Sequence, residues 1–272
     1  MELFSLKDKV IIITGASGLL GQEHSKAIAK HEGIPILIDI DEKKLAIQVK
    51  NIFDEFNIVA KAYKLDITDE IAVKNHCDLI KKTFGKIDGL INNAANNPKV
   101  ENNEMNFSRL ENFSIDSWNK DIAVSLTGSF ICTKYFGFAI SKNPKGGSII
   151  NVSSDLGIIA PNQNIYKKEG LDDNNQPVKP VSYSVTKHGI IGLTKYTSTY
   201  WAEKNLRCNA ICPGGVLNNQ PKEFVSSVSS LIPMGRMANK NEYQGLIIFL
   251  LSKASSYING SIITADGGRT AW

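Results

Sequence analysis

The sequence predicts an α/β fold: a single-domain, Rossmann-type, doubly wound parallel sheet with helices on both faces. Three observations carry that reading. Short β-branched apolar runs alternate with longer helical patterns along all 272 residues. Those runs are apolar throughout, as strands covered on both sides must be. No change of composition divides the chain, so one domain over 1–272 is expected, long enough to bury a real core.

The elements follow in order. KVIIITG (9–15) reads as the first strand, and the pattern from about Leu20 to Glu32 as the first helix. PILIDI (35–40) gives a second strand, with Asp39 or Asp41 available to cap a helix near 42–56. VAKAYKLDI (59–67), a helix near 69–84 and IDGLINNA (87–94) repeat the alternation. A helix near 116–140 leads to GSIINVSS (147–154), and VSYSVTKHGIIGLTKY (181–196) reads as an amphipathic helix. LRCNAICPGG (206–215), a helix near 241–252 and GSIITADGG (260–268) complete the pattern. Two segments interrupt it, an asparagine-rich stretch at 96–114 and a proline-bearing one at 155–182. Loops this long in a compact domain are commonly functional, and both follow strand ends where open α/β sheets bind ligands.

Composition narrows the function. A net charge of +4 with lysines dispersed along the chain argues against a nucleic-acid partner. Cys77, Cys132, Cys208 and Cys212 form no C-x-x-C pair and no histidine stands at metal spacing, so free buried thiols and no metal are expected. The N-terminal apolar run is too short for a signal peptide, and no apolar run reaches the length of a membrane span. The expectation is a cytoplasmic protein without membrane partners.

Between the first strand and first helix, Gly15, Gly18 and Gly21 form G-x-x-G-x-x-G, with Ser17, Leu19 and Leu20 between them. Glycines there permit a tight turn and close approach of a pyrophosphate, and the helix N-terminus offers unpaired N–H groups to it. Asp39, at the end of the second strand, can accept from the two hydroxyls of an adenosine ribose and would repel a 2′-phosphate. These features predict NAD and disfavour NADP.

TGASGLLG, KLDITD, INNAA, GSIINVSS, YSVTK, ICPGGV and ADGG stand in an order that resembles the short-chain dehydrogenase/reductases over essentially the whole chain. The resemblance implies hydride exchange with a nicotinamide dinucleotide, a small-molecule substrate, and a homodimer or homotetramer. It places Asp66 and Ile67 beside adenine, and Asn92, Asn93 and Ala94 along the ribose and central strands. Pro213, Gly214 and Val216 would hold the nicotinamide carboxamide. Ser154 would orient the substrate oxygen, Tyr183 would act as general acid/base, and Lys187 would grip the nicotinamide ribose. A free phenol has a pKa near ~10, and a nearby cation favours the phenolate. Positions i and i+4 share a helix face, so Lys187 is expected to lower the pKa of Tyr183.

Four features depart from the family pattern. The glycine spacing looks like that of sugar-nucleotide epimerases and dehydratases. Ser125 stands where an asparagine commonly holds a relay water, and a serine can hold one too. Tyr183 lies 29 residues after Ser154, much farther than usual, and Asn218 replaces a common threonine. The insertion beside Ser154, with PGGVLNNQPKEF, is similar to oxidoreductases of flagellin modification and bacterial surface-sugar synthesis. The reading is therefore an NAD(H)-dependent oxidoreductase interconverting a secondary alcohol and a ketone on a sugar or activated sugar. The alternatives are an epimerase or dehydratase with tightly held NAD, or an inactive nucleotide-binding regulatory protein. Lys167, Lys168 and Lys179 are candidate phosphate contacts in the 155–182 loop; Arg236 is expected to be structural.

Overall fold

The computed structural model describes residues 2–96 and 108–272, so most of the 96–114 segment lies outside the described residues. One sheet contains β1 (Val10–Thr14), β2 (Ile34–Asp39), β3 (Lys61–Lys64), β4 (Gly89–Asn92), β5 (Gly147–Val152), β6 (Leu206–Pro213) and β7 (Ile262–Ala265). Its order is β3-β2-β1-β4-β5-β6-β7, and every neighbouring pair runs parallel. The sheet is therefore doubly wound, as the sequence predicts. Strand order reverses between β1 and β4, which opens a crevice beyond the carboxyl ends of the strands.

Helices α1 (Leu19–Lys30), α2 (Glu42–Phe56), α3 (Glu70–Phe84), α4 (Ile115–Ile140), α5 (Val181–Tyr200), α6 (Lys222–Ser229) and α7 (Gln244–Leu251) accompany the sheet. The period of two along β1 assigns its residues to two cores. Ile11 and Ile13 pack with Ile28 of α1, Leu45 of α2 and Ile247 of α7. Val10 and Ile12 pack with Val73 of α3 and Phe136 of α4. Both faces are buried, which is why the strand runs are apolar without alternation.

Two elements differ from expectation. Helix α6 was not foreseen, because KEFVSSVS is short and most of its residues are polar. Helix α4, at 26 residues, is long and apolar enough to cross a membrane by length and composition, against the expectation that no stretch is. Its apolar residues are distributed by helical period and never form one run, so they escape a search for runs. Ile131, Cys132, Phe136 and Ile140 of that helix are buried in the core beneath the sheet.

A buried polar chain ties the central strands to the two helices that flank the crevice. Asn92 Nδ2 of β4 donates to Asn151 Oδ1 of β5 at 2.8 Å and to Thr133 Oγ1 of α4 at 3.0 Å. Asn151 Nδ2 donates in turn to Thr194 Oγ1 of α5 at 2.9 Å. Removing one member strands its partners away from water, which costs about 1–3 kcal/mol per orphaned group. Asn151→Ala is expected to lower stability by about 2–4 kcal/mol, measured as a fall in the urea midpoint at unchanged m-value.

Candidate active site

The turn after β1 is built by close approach. Gly15 has φ +61°, and a Cβ there would stand 2.7 Å from Ala94 Cα. A Cβ on Gly21 would lie 2.2 Å from Gly15 O, so helix and turn can meet only without one. Thr14 Oγ1 accepts the N–H groups of Asn93 and Ala94, each at 3.1 Å, while Asn93 Nδ2 donates to Thr14 O and Gly15 O. Helix α1 starts at Gly18 with no side-chain cap, which leaves its first N–H groups for an anion.

Asp39 and Asp41 divide the roles that the sequence leaves open. Asp41 caps α2 by accepting from Lys44 N at 3.1 Å. Asp39 Oδ2 accepts from Ser17 N at 2.9 Å and its Oδ1 from Asp41 N at 3.1 Å, so it holds the phosphate loop against β2. Each carboxylate oxygen keeps a further lone pair toward the cleft. The uncapped helix start, the glycine cradle and the acidic group at the end of β2 fit a nicotinamide dinucleotide.

One cleft of about 650 Å³ collects nearly all the nominated residues. Gly15, Ser17, Gly18, Leu19, Leu20, Asp39, Asp66, Ile67, Asn93 and Ala94 line one end. Ser154, Tyr183, Lys187, Pro213, Gly214 and Val216 line the other, with Asn218. Ser125 does not line the cleft, and this corrects its expected place in the relay. Helix α4 widens to i→i+5 bonding over Ala123–Thr127, which brings Val124 to the wall instead. Ser125 is buried, and its Oγ accepts from Asn96 N at 3.1 Å. Asn92 is buried in the polar chain and lines nothing.

Electrostatics in the deep end correct a second expectation. Lys187 Nζ donates to Val152 O at 3.0 Å and stands 5.7 Å from the Tyr183 ring centre. Burial lowers the Lys187 pKa to about 8, helped by the charge of Lys179. Tyr183 keeps some exposure to the cleft, yet the depth of its hydroxyl dominates: burial pushes its pKa up to about 12 against a lowering by Ser154, and the negative charge of Asp155 adds to the rise. Without a ligand, the phenol is thus held protonated, and the ammonium is not what sets its pKa. Lys179 Nζ lies 4.0 Å from the same ring, over its face.

The 155–182 loop forms the outer wall through Ile165, Tyr166 and Lys179, whereas Lys167 and Lys168 do not reach the cleft. Tyr166 packs on Phe224 with ring centres 5.7 Å apart. Arg236 pairs with Glu242 at 2.6 Å on the surface, a structural role. All four cysteines are free and buried. Sequence reasoning missed Asp155, Arg269, Tyr166 and Phe224, all of which line the cleft. Only Asp155 carried a signal, its adjacency to Ser154.

Comparison with known proteins matches the short chain dehydrogenase family model over residues 9–167 and an Enoyl-(Acyl carrier protein) reductase model over 173–270. The NADP-dependent mannitol dehydrogenase of Alternaria alternata is 32% identical over 98% of this chain and 94% of its own length. Post-translational flagellin modification protein A of Campylobacter coli is 28% identical over 97% of this chain and 98% of its own. The structure of NAD+-bound xylitol dehydrogenase superposes with a TM-score of 0.84 at 25% identity, covering 97% of this chain and 99% of that one.

The burial of Lys187 has a stability signature. Its folded pKa of about 8 lies below the ordinary lysine value of 10.5, so the folded state binds fewer protons between those limits. Stability therefore rises with pH across that window, and the full cost, on the order of 3 kcal/mol, is borne below pH 8. Lys187→Met is expected to melt at a higher temperature than the wild type at pH 7. Calorimetry from pH 7 to 10.5 should show the difference shrinking as pH rises.

Proposed function

The chain belongs to the short-chain dehydrogenase family, and on that premise we propose an NAD(H)-dependent enzyme acting on a sugar or activated sugar of a bacterial surface-glycan pathway. Its dehydrogenase and reductase relatives make it an oxidoreductase of alcohols and ketones. The observation that carries the reading is the convergence of Ser154, Tyr183 and Lys187 on the cleft that the phosphate loop also opens into. A bound nicotinamide dinucleotide supplies or takes up the hydride. Tyr183 exchanges the proton on the substrate oxygen, and its burial keeps it ready as an acid at neutral pH. Lys187, fixed by Val152 O, directs its remaining N–H groups into the cleft to hold hydroxyls.

Asp39 supports NAD over NADP, since its carboxylate offers lone pairs to ribose hydroxyls and repels a phosphate. Lys44 also lines that end, but it is paired with Asp41 at 2.9 Å. The NADP-dependent mannitol dehydrogenase among the relatives pulls the other way. A carbohydrate is supported by the Tyr166–Phe224 pair, which gives a C–H face something flat to rest on, beside Asn218 and Gln220. The flagellin modification relative supports the glycan setting. Exposed Phe130 and Phe138 on α4, with Tyr196 and Tyr200 on α5, support a homodimer or homotetramer. Free thiols support a cytoplasmic site.

Two measurements test this. NADH is expected to raise the melting temperature more than NADPH does, and Asp39→Ala should close that gap; equal shifts in the wild type would remove the NAD assignment. Tyr183→Phe should keep NADH binding while turnover on a panel of polyols, sugars and sugar nucleotides drops by ~10² or more. Turnover that survives the replacement would count against the acid/base role.

A further inference from the structure

Arg269 is a buried charge that the proposed reaction does not use. The turn that carries it is set by the sequence ADGGRT. Gly267 and Gly268 have φ of +67° and +90°, which other residues rarely adopt. Asp266 staples the turn, its Oδ1 accepting from Gly268 N and its Oδ2 from Thr270 N, each at 2.9 Å. A Cβ on Gly214 would stand 2.8 Å from Asp266 Cα, so the turn lies directly against the loop after β6. Arg269 is thereby brought inward, where it is 7% exposed and lines the cleft.

Its bonding capacity is unspent. Asp155, 3% exposed, faces it, with Arg269 Nη1 at 3.3 Å from Asp155 Oδ2. That contact is an ion pair without a hydrogen bond, and Asp155 Oδ2 makes none to any described residue. The Arg269 side chain likewise makes no hydrogen bond among the described residues, and none of its nitrogens is sealed from solvent. A guanidinium stays charged at any ordinary pH and has only N–H groups to offer, so what is left for them is the cleft.

The charge balance of the cleft points the same way. Lys179, Lys187 and Arg269 line its substrate end against Asp155, whereas the adenosine end has Asp39 and Asp66 against Lys44. Burial raises the Asp155 pKa, so the acid facing Arg269 itself resists ionisation. Lys187, lowered first by burial, is lowered further by the charge of Lys179. Buried charge that its surroundings only partly compensate is costly, and an acidic group on a ligand supplies what is missing. A planar guanidinium takes a carboxylate or a phosphate through parallel N–H bonds, which a hydroxyl cannot match.

We propose that Arg269 is a substrate-binding residue that receives a carboxylate or a phosphate, so that the site prefers sugar acids or sugar phosphates to neutral sugars and polyols. Asp155 stands between this guanidinium and Ser154, whose Oγ lies 2.7 Å from Asp155 Oδ1. The acidic group therefore sits close to the reacting oxygen. Lys179, 4.0 Å from the Tyr183 ring centre, adds its field to the same end. Calling the ligand a substrate rests on the oxidoreductase reading above; the preference for an acidic group does not.

Isothermal titration calorimetry of the full chain, with NADH present and ionic strength fixed, tests this with matched ligands. Gluconate is compared with glucitol, and glucose 6-phosphate with glucose. At least one acid is expected to bind about tenfold or more tightly than its neutral twin, and the pair that shows it tells a carboxylate from a phosphate. Arg269→Gln should bring that acid to the affinity of its twin, and Arg269→Lys should recover part of the difference, as a charge without the fork. Should Arg269→Gln fail to fold, Asp155→Asn combined with Arg269→Gln removes both buried charges and is read instead. Equal or undetectable affinities within both pairs overturn the proposal. So does an acid preference that survives the loss of Arg269, which Lys179→Met would then trace to the outer wall. Binding and not turnover is read, so a protein without the proposed activity still answers the question.

Discussion

A lysine buried beside a tyrosine is the constraint that the rest of the structure answers to. Taking an ammonium out of water is costly, and the protein offsets only part of that cost, through the carbonyl of Val152. The remainder appears as the depressed pKa of Lys187. A fold under selection for stability alone would put an apolar side chain there. Its retention ties β5 to α5, because the carbonyl that holds the ammonium ends the strand that leads into Ser153 and Ser154. Ser153 Oγ returns the connection by donating to Lys187 O at 2.7 Å. Strand end and helix are thus locked face to face, and Tyr183 is one turn away from that lock.

The same constraint explains the buried amides deeper in the sheet. Asn92 and Asn151 are paired in register on β4 and β5 and link outward to α4 and α5. Polar side chains inside an apolar core stabilise one arrangement only when their partners are in place. They fix the distance between the helices on either side of the crevice, which apolar packing alone would leave free to slide. The cleft is therefore set from below by directional bonds and from the β1 side by glycines that leave no room to shift.

Much of this was legible as spacing. Glycines at fixed offsets after a strand specify a turn that backbone sterics then build, and Gly15 and Gly21 meet as their spacing requires. Asp39 and Asp41 were both legible as acidic candidates, but only the structure assigns the cap, which Asp41 makes to Lys44 N. What spacing cannot supply is phase and depth. One wide turn in α4 moves Ser125 off the face that a regular helix would show and puts Val124 there. Tyr183 and Lys187 are four apart on any helix, yet whether charge or burial sets the phenol's pKa depends on how much protein covers them. Asp155 and Arg269 are joined only by the closure of the sheet, so no local pattern announces the pair.

The two corrections bear on each other. With Ser125 turned to Asn96, the wall of α4 offers the phenol no polar partner of its own. Ser154 lines the same cleft, and its Oγ lies 2.7 Å from Asp155 Oδ1. A phenol flanked by two ammonium groups would ordinarily be drawn toward ionisation. Here depth, with the negative charge of Asp155, outweighs the pull of Ser154 toward ionisation and holds the phenol neutral. A ligand that changes how deeply the hydroxyl is buried therefore acts on the effect that dominates its protonation state.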